Sequence, residues 1–147
     1  MIRSVIAVAL FTIGAPGISA GQVSDDAAKI AAVTHLKKGL ALSDKGRMKA
    51  AEKEFDLAIA SYSQGAALYG ARGKVRYAQK NYPGAVEDLN VYLASNPNDS
   101  DMILLRGIAR SLLKPEDVVG ACSDFLKVRE NLKNMGLEKY CAGRDGW

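Results

Sequence analysis

After residue 20 the chain alternates between apolar and polar positions with the period of an α-helix. Ile30, Val33, Leu36 and Leu40 recur at steps of three and four residues, which predicts a first helix over Asp26–Asp44. Further stretches with this period follow, and no stretch alternates with the period of two that is typical of a strand. The pattern therefore predicts an all-α fold.

Turn and cap residues indicate where the helices end. Gly46 tolerates the left-handed conformation of a helix C-terminus, and Pro97 cannot continue the fourth helix. The fifth helix is predicted over Met102–Leu113. We expect the sixth to open with Pro115 in its first turn, where the missing N–H costs nothing.

Glycine recurs at a fixed spacing inside the predicted helices. Gly39, Gly73 and Gly107 follow one another at equal intervals. A helical glycine is less favourable than alanine by about 1 kcal/mol, so this recurrence indicates close packing against a second helix. A repeat of this length, about 34 residues, is a helical hairpin that buries its apolar face by stacking on neighbours.

Alanine follows the same repeat with one irregularity. Ala51 and Ala85 are separated by the same interval as the glycines, whereas Ala121 lies further along the chain than this interval would place it. The difference indicates two inserted residues around Lys114 and Pro115. The third hairpin is therefore expected to be irregular.

The central unit resembles the tetratricopeptide repeat (TPR), a helical hairpin with a defined pattern of aromatic and small residues. The matching residues are Tyr69, Gly73, Ala85 and Pro97. The departures are Arg72 for the usual Leu, Arg76 for the Tyr and Leu89 for the second aromatic. The resemblance spans most of the chain after residue 31.

This resemblance implies an α-solenoid of about three hairpins. The expected units are 32–65, 66–99 and 100–133, with residues 21–31 as an N-terminal extension of the first helix and residues 134–147 as a short C-terminal cap and tail.

The first twenty residues are predicted to be a secretory signal peptide. Arg3 provides a positive start, an apolar run follows, Pro16 and Gly17 interrupt it, and Ala20 provides a small residue for cleavage. The alternative is a membrane anchor, but a span needs about 20 apolar residues and this run is shorter. We expect export, to the periplasm of a Gram-negative bacterium or otherwise to the medium, with no membrane span after cleavage.

The distribution of charged residues along the chain disfavours nucleic acid as a partner. The chain has 20 basic and 16 acidic residues, and they are spread without a basic run or interleaved aromatics. Nucleic-acid binding is therefore not expected.

Cys122 and Cys141 are the two cysteines of the chain. An even number of cysteines in an exported chain predicts a disulfide, which would stabilise the C-terminal end by about 3 kcal/mol. Two free thiols are the alternative, and a redox pair is disfavoured because the Cys-x-x-Cys arrangement is absent.

Catalysis and cofactor binding have little support. His35 is the one histidine, it takes the place of a packing aromatic, and it cannot assemble a metal site with two paired cysteines. Glu52 with Glu54, and Glu87 with Asp88, are expected on solvated outer faces. We therefore expect neither an enzyme nor a cofactor.

The function expected from the resemblance is recognition of another protein. In TPR proteins the first helices of the units line a concave groove that holds a partner segment. By register, the groove residues here are Leu36, Lys37, Leu40, Lys74, Tyr77, Leu104, Leu105 and Ile108, with Ala67, Gly70 and Ala71 between them. The largely apolar surface favours an amphipathic segment that carries some acidic residues.

The TPR grooves that grip acidic C-termini need Asn beside Lys, and here Leu40 and Lys74 occupy those places. We therefore do not expect this protein to share the specificity of those grooves for acidic C-termini. Two hypotheses stand: an exported, non-catalytic adaptor that binds a partner in the groove, or a structural, self-associating subunit of a cell-envelope complex. The alternative to an open groove is that the tail or a second copy of the chain covers part of the apolar face, since terminal units normally need polar caps.

Overall fold

A computed structural model describes residues 20–114, 116–128 and 141 of the chain. In these ranges the chain forms helices and turns without a strand. The helices are α1 (Ala20–Asp44), α2 (Met48–Ser61), α3 (Ala66–Ala78), α4 (Tyr82–Ser95), α5 (Ser100–Ser111) and α6 (Val118–Lys127). The predicted all-α class is confirmed. The predicted signal peptide and C-terminal tail lie outside the described residues, apart from Ala20 and Cys141.

The six helices pack as three consecutive hairpins. α1 packs on α2, α3 on α4 and α5 on α6, and the hairpins stack through contacts of α2 with α3 and of α4 with α5. The buried side chains therefore follow the stack from end to end, from Ala32 and Phe55 in the first hairpin to Phe125 in the third. The predicted helical solenoid is confirmed.

Close packing explains the recurring glycines. A Cβ atom added to Gly107 would lie 2.6 Å from Cε1 of Phe125, which is closer than real side chains pack. The facing side chains are fully buried in all three hairpins. The three pairs are Gly39 with Phe55, Gly73 with Leu89 and Gly107 with Phe125. The first and third hairpins therefore need a glycine so that the second helix can approach the first, and the packing at Gly73 is tight, with an added Cβ atom 3.2 Å from Cγ of Leu89.

The first helix ends at Asp44 as predicted but begins at Ala20 rather than Asp26, and α5 lies two residues earlier than the predicted 102–113. Gly46 has a φ of 71°, as expected for the end of α1. The expectation that Pro115 lies in the first turn of the sixth helix is wrong, because α6 begins at Val118. Asp117 caps this helix by accepting a hydrogen bond from the Gly120 amide at 2.9 Å, so a polar side chain rather than proline starts the helix.

A buried aspartate joins the two helices of the second hairpin. Arg72 donates from Nε and Nη2 to the two carboxylate oxygens of Asp88 at 2.9 and 2.7 Å, and Arg76 Nη1 lies 3.1 Å from the same carboxylate. The side chain of Asp88 is only 3% exposed. The expectation that Asp88 is solvated on an outer face is therefore wrong, because two guanidinium groups neutralise it inside the hairpin.

The third hairpin repeats this arrangement. Arg106 donates to the two carboxylate oxygens of Asp124 at 2.9 and 2.6 Å, and Arg110 donates to Asp124 at 2.8 Å. Arg106 and Arg110 stand one repeat after Arg72 and Arg76. The two arginines that depart from the TPR pattern, Arg72 and Arg76, therefore belong to an ionic cluster that recurs between the helices of the third hairpin.

The first hairpin has a different set of partners for its acidic residue. Glu54, at the position equivalent to Asp88, pairs with Lys38 Nζ at 2.6 Å and with His35 Nδ1 at 2.9 Å. The hydrogen bonds with His35 and Lys38 lower the pKa of Glu54. Glu54 is nearly buried, so the expectation of a solvated carboxylate is wrong here too. His35 lies partly buried between α1 and α2 and has a structural partner.

A disulfide joins Cys122 to Cys141, with the two Cα atoms 5.2 Å apart. Both cysteines are buried. The bond ties residue 141 to α6, at the end of the stack where no fourth hairpin follows among the described residues.

Candidate functional site

A shallow cavity of about 270 Å³ opens between α1, α3 and α5. Leu36 and Leu40 of α1 form one wall, and Lys74 lies on the central helix. The rest of the lining is Ala67, Gly70, Ala71, Tyr92 and Met102. Because α3 presents three small residues, Ala67, Gly70 and Ala71, between bulkier neighbours, the surface is concave at this point.

The depth of the cavity depends on Gly70 and Tyr92. A Cβ atom added to Gly70 would lie 2.6 Å from Cδ2 of Tyr92. The tyrosine ring, which belongs to α4, therefore reaches between α3 and α5 and packs directly on the backbone of α3. At the equivalent positions of the first hairpin the sizes are reversed, with Leu36 large and Ala58 small.

A hydrogen bond holds the Tyr92 ring in place. Its hydroxyl donates to Oδ2 of Asp99 at 2.7 Å, while Oδ1 of Asp99 accepts from the Met102 amide at 3.2 Å and caps α5. The bond from Tyr92 lowers the pKa of Asp99 and raises the pKa of Tyr92. Tyr92 is therefore a fixed neutral wall of the cavity, and Asp99 is a fixed anion beside it.

Lys74 is the cation at this cavity. Its charge is close enough to Asp99 to lower the pKa of that carboxyl further. Lys74 is exposed and makes no ion pair with any described residue. Its ammonium group is available for an acidic group that arrives from solvent.

The structure brings together three of the eight groove residues that the sequence indicated. Leu36, Leu40 and Lys74 share the cavity. Lys37 lies at a neighbouring cavity of about 290 Å³ on α1, lined also by Lys29, Ile30, Val33 and Thr34. The indicated surface on α1 is therefore divided between two depressions.

The other four predicted groove residues do not border this cavity. Tyr77 packs on Tyr82 with the ring centroids 5.8 Å apart, and it is not part of the cavity lining. Leu104, Leu105 and Ile108 are partly buried against the core of the third hairpin. On α5 the cavity is bounded by Met102.

Sequence reasoning missed Tyr92 and Met102. Tyr92 lies on a second helix of a hairpin, which the register places away from the concave side, and only the absence of a side chain at Gly70 lets its ring reach the cavity. The sequence did contain a signal for this contact. The first hairpin has the large Leu36 and the small Ala58, whereas the equivalent positions of the second hairpin have the small Gly70 and the large Tyr92.

Neither a metal cluster nor a membrane span is found in the described part of the chain. No group of three or more His, Cys, Asp or Glu side chains there could hold a metal ion. No helix among the described residues is long and apolar enough to cross a membrane.

The fold matches that of solved TPR domains. The first TPR of Spaghetti (RPAP3), bound to the HSP90 peptide SRMEEVD, superposes with a TM-score of 0.65 at 21% identity and covers 77% of this chain and 92% of its own. The second TPR of the same protein, bound to the same peptide, has a TM-score of 0.66 at 20% identity and covers 74% and 97%. No family model matches the sequence, and no curated protein matches it significantly. The chain therefore has the fold of a TPR domain, as its repeat predicted.

Proposed function

We propose that this protein is an exported, non-catalytic adaptor that binds a segment of another protein in the groove between α1, α3 and α5. The observation that carries this proposal is the cavity of about 270 Å³ beside a lysine that has no ion pair among the described residues. Two solved neighbours of the same fold hold a peptide, which supports a role in peptide recognition. A concave apolar site with few polar groups is typical of ligand binding.

The lining indicates the chemistry of the bound segment. Leu36, Ala71 and Met102 offer apolar contacts, so a bulky apolar side chain of the partner enters the cavity. Lys74 lies on the same helix as the small residues and favours a carboxylate close to that anchor. The partner segment is therefore apolar with an acidic residue nearby, and the negative charge of Asp99 disfavours a second one at the Tyr92 side.

The HSP90 peptide SRMEEVD is not the expected ligand. Leu40, which is 45% exposed at the cavity, occupies a place where the carboxylate-binding TPR grooves have a polar side chain. We expect labelled SRMEEVD to bind no more tightly than a scrambled peptide of the same composition in a fluorescence anisotropy titration. Tight, sequence-dependent binding would show that the groove has the specificity of its structural neighbours.

The export of the protein is inferred from its first twenty residues, and the periplasm of a Gram-negative bacterium is the proposed compartment. Two measurements test this. Fractionation of the native cells should recover the protein outside the cytoplasm, and N-terminal sequencing should begin at Gly21. A cytoplasmic protein with an intact first residue would contradict the proposal.

Selection from a displayed library of random peptides tests the groove. We expect enriched peptides to combine a bulky apolar residue with Asp or Glu. Ala71→Trp, which fills the cavity, should abolish their binding, and Lys74→Glu should weaken it by about tenfold, the effect of one charged contact. Lys49→Glu changes an exposed lysine on α2 by the same charge and should bind as the wild type does. Enrichment that survives Ala71→Trp would place binding outside this groove.

A further inference from the structure

Helix α1 exposes three large apolar side chains to solvent. Ile30 is 68% exposed, Val33 is 47% exposed and Leu40 is 45% exposed. They are three of the four residues whose spacing predicted the helix, and α1 instead contributes Ala32 and the fourth residue, the partly buried Leu36, to the core of the first hairpin. Contiguous exposed apolar side chains on a folded domain indicate an interface.

The exposed residues belong to one stripe along α1. Asp26, Ile30, Val33, Lys37 and Leu40 follow one another at steps of four, three, four and three residues. This spacing is that of the contact positions in a coiled coil, so the five side chains lie on one face of the helix. Their order is acidic, apolar, apolar, basic and apolar.

The stripe is complementary to its own reversed copy. If two α1 helices pack antiparallel with Ile30 opposite Val33 of the second copy, then Asp26 falls opposite Lys37 of that copy. A two-fold axis produces every one of these contacts twice, which is the condition for a closed dimer. A parallel pair would place Asp26 against Asp26 and Lys37 against Lys37, which like-charge repulsion disfavours.

The charged groups at the two ends of the stripe are available for this contact. The side chain of Asp26 is 72% exposed, and its ion pair with Lys29 is long, at 3.9 Å. Lys37 is exposed and has no ion pair within the described residues. Neither charge has to give up a close partner within the described part of the chain in order to pair with a second copy.

We propose that α1 forms an antiparallel dimer contact with α1 of a second copy of this chain, with Ile30 against Val33 at the centre and Asp26–Lys37 ion pairs at both ends. The contact covers the cavity of about 290 Å³ that Ile30, Val33 and Lys37 line. It reaches Leu40, which also borders the groove cavity, so the two grooves of the dimer lie next to the shared interface. The proposal stands without the peptide-binding function, since its test needs no peptide.

Sedimentation equilibrium of the protein, purified as its own cells process it, measures the association from low micromolar to near-millimolar concentration. We expect a monomer–dimer equilibrium. Asp26→Lys and Lys37→Glu should each weaken it by about tenfold or more, because each variant opposes like charges at both ends. An equimolar mixture of the two variants should form a heterodimer, since both ends are then complementary again. Lys49→Glu, with the same charge change outside the stripe, should dimerise as the wild type does.

Each alternative outcome overturns a part of the proposal. A wild-type protein that stays monomeric near millimolar concentration rules out the dimer, and a dimer that is unaffected by Lys37→Glu uses another surface. Weakening by both variants without recovery in the mixture rules out the antiparallel register. Because all substituted side chains are exposed, circular dichroism should show unchanged helix content, which separates lost association from lost folding.

Discussion

Arg72 in α3 donates two hydrogen bonds to the carboxylate of Asp88 in α4. The aspartate side chain is 3% exposed and the arginine side chain is 14% exposed, so the pair lies inside the hairpin. These hydrogen bonds with Asp88 raise the pKa of Arg72 further above its already high value. The guanidinium therefore stays charged at every pH at which the protein is folded, and the pair holds α3, the helix that carries Lys74, against α4.

Removal of the buried aspartate should destabilise the fold strongly. Asp88→Ala leaves Arg72 and Arg76 without their shared anion, and we expect the free energy of unfolding to fall by about 3 kcal/mol in urea denaturation. Asp56→Ala removes an exposed partner of Arg72 and should cost less than about 1 kcal/mol.

The effects of substitutions in this cluster on the free energy of unfolding should not be additive. When Asp88→Ala is combined with Arg72→Leu and Arg76→Tyr, the residues usual in the TPR pattern, no charge remains in the hairpin interior. Glu52, which is 23% exposed, loses its ion pair with Arg76 but keeps the hydrogen bond from Gln79. We expect this triple variant to be more stable than Asp88→Ala alone. A triple variant that is less stable than the single one would show that the arginines stabilise the hairpin by contacts other than those with Asp88.

Gly70→Ala should destabilise the protein, against the usual helix preference for alanine. The new methyl group would meet the Tyr92 ring, so the ring must shift, at a cost of about 1–3 kcal/mol. In a Tyr92→Ala background the same substitution should be neutral or stabilising by up to about 1 kcal/mol. Thermal or chemical unfolding of the four proteins measures this cycle, and an equal cost in both backgrounds would show that Tyr92 is not the obstacle.

Tyr92→Phe tests the pH dependence of the cavity wall. Asp99 has a lower pKa in the folded protein than when unfolded, so its contribution to stability is present above its ordinary pKa of about 3.9 and is lost as the pH falls through the folded value. Loss of the Tyr92 hydroxyl should cost about 0.5–1 kcal/mol near neutral pH, because the bond is partly solvated. The difference between the two proteins should shrink below about pH 4. A constant difference across this range would mean that Asp99 is not the group involved.

The disulfide predicts the behaviour of the thiols. Alkylation of the denatured, unreduced protein should leave its mass unchanged, because Cys122 and Cys141 are joined. Reduction should then lower the free energy of unfolding by about 3 kcal/mol, since the bond closes a loop between residues 19 apart. Mass spectrometry that finds two labelled thiols before reduction would refute the bond.

The spacing of small residues was enough to predict the three hairpins and the close approach of their two helices at each glycine. Gly107 lies one repeat after Gly73 and faces Phe125, as Gly73 faces Leu89, because the two helices of each hairpin approach closely at the same point of the repeat. Such a close approach is local to one pair of helices. The repeat of the sequence therefore shows this constraint, whatever the rest of the fold is.

The surroundings of individual side chains on each face were decided only by the tertiary structure. Asp88 reads as an ordinary surface acid in the sequence and is buried because Arg72 and Arg76 reach it from the preceding helix. Tyr92 reaches the groove because Gly70 has no side chain, while Tyr77 turns to Tyr82.

The apolar stripe of α1 also depends partly on the sequence and partly on the tertiary structure. Its periodicity by itself determined that a helix forms, but Ile30 and Val33 are exposed because the hairpin core is filled by Ala32 and its neighbours. Periodicity determines which residues share a face. Which neighbour covers that face depends on contacts between residues far apart in the sequence, and those arise only when the hairpins stack.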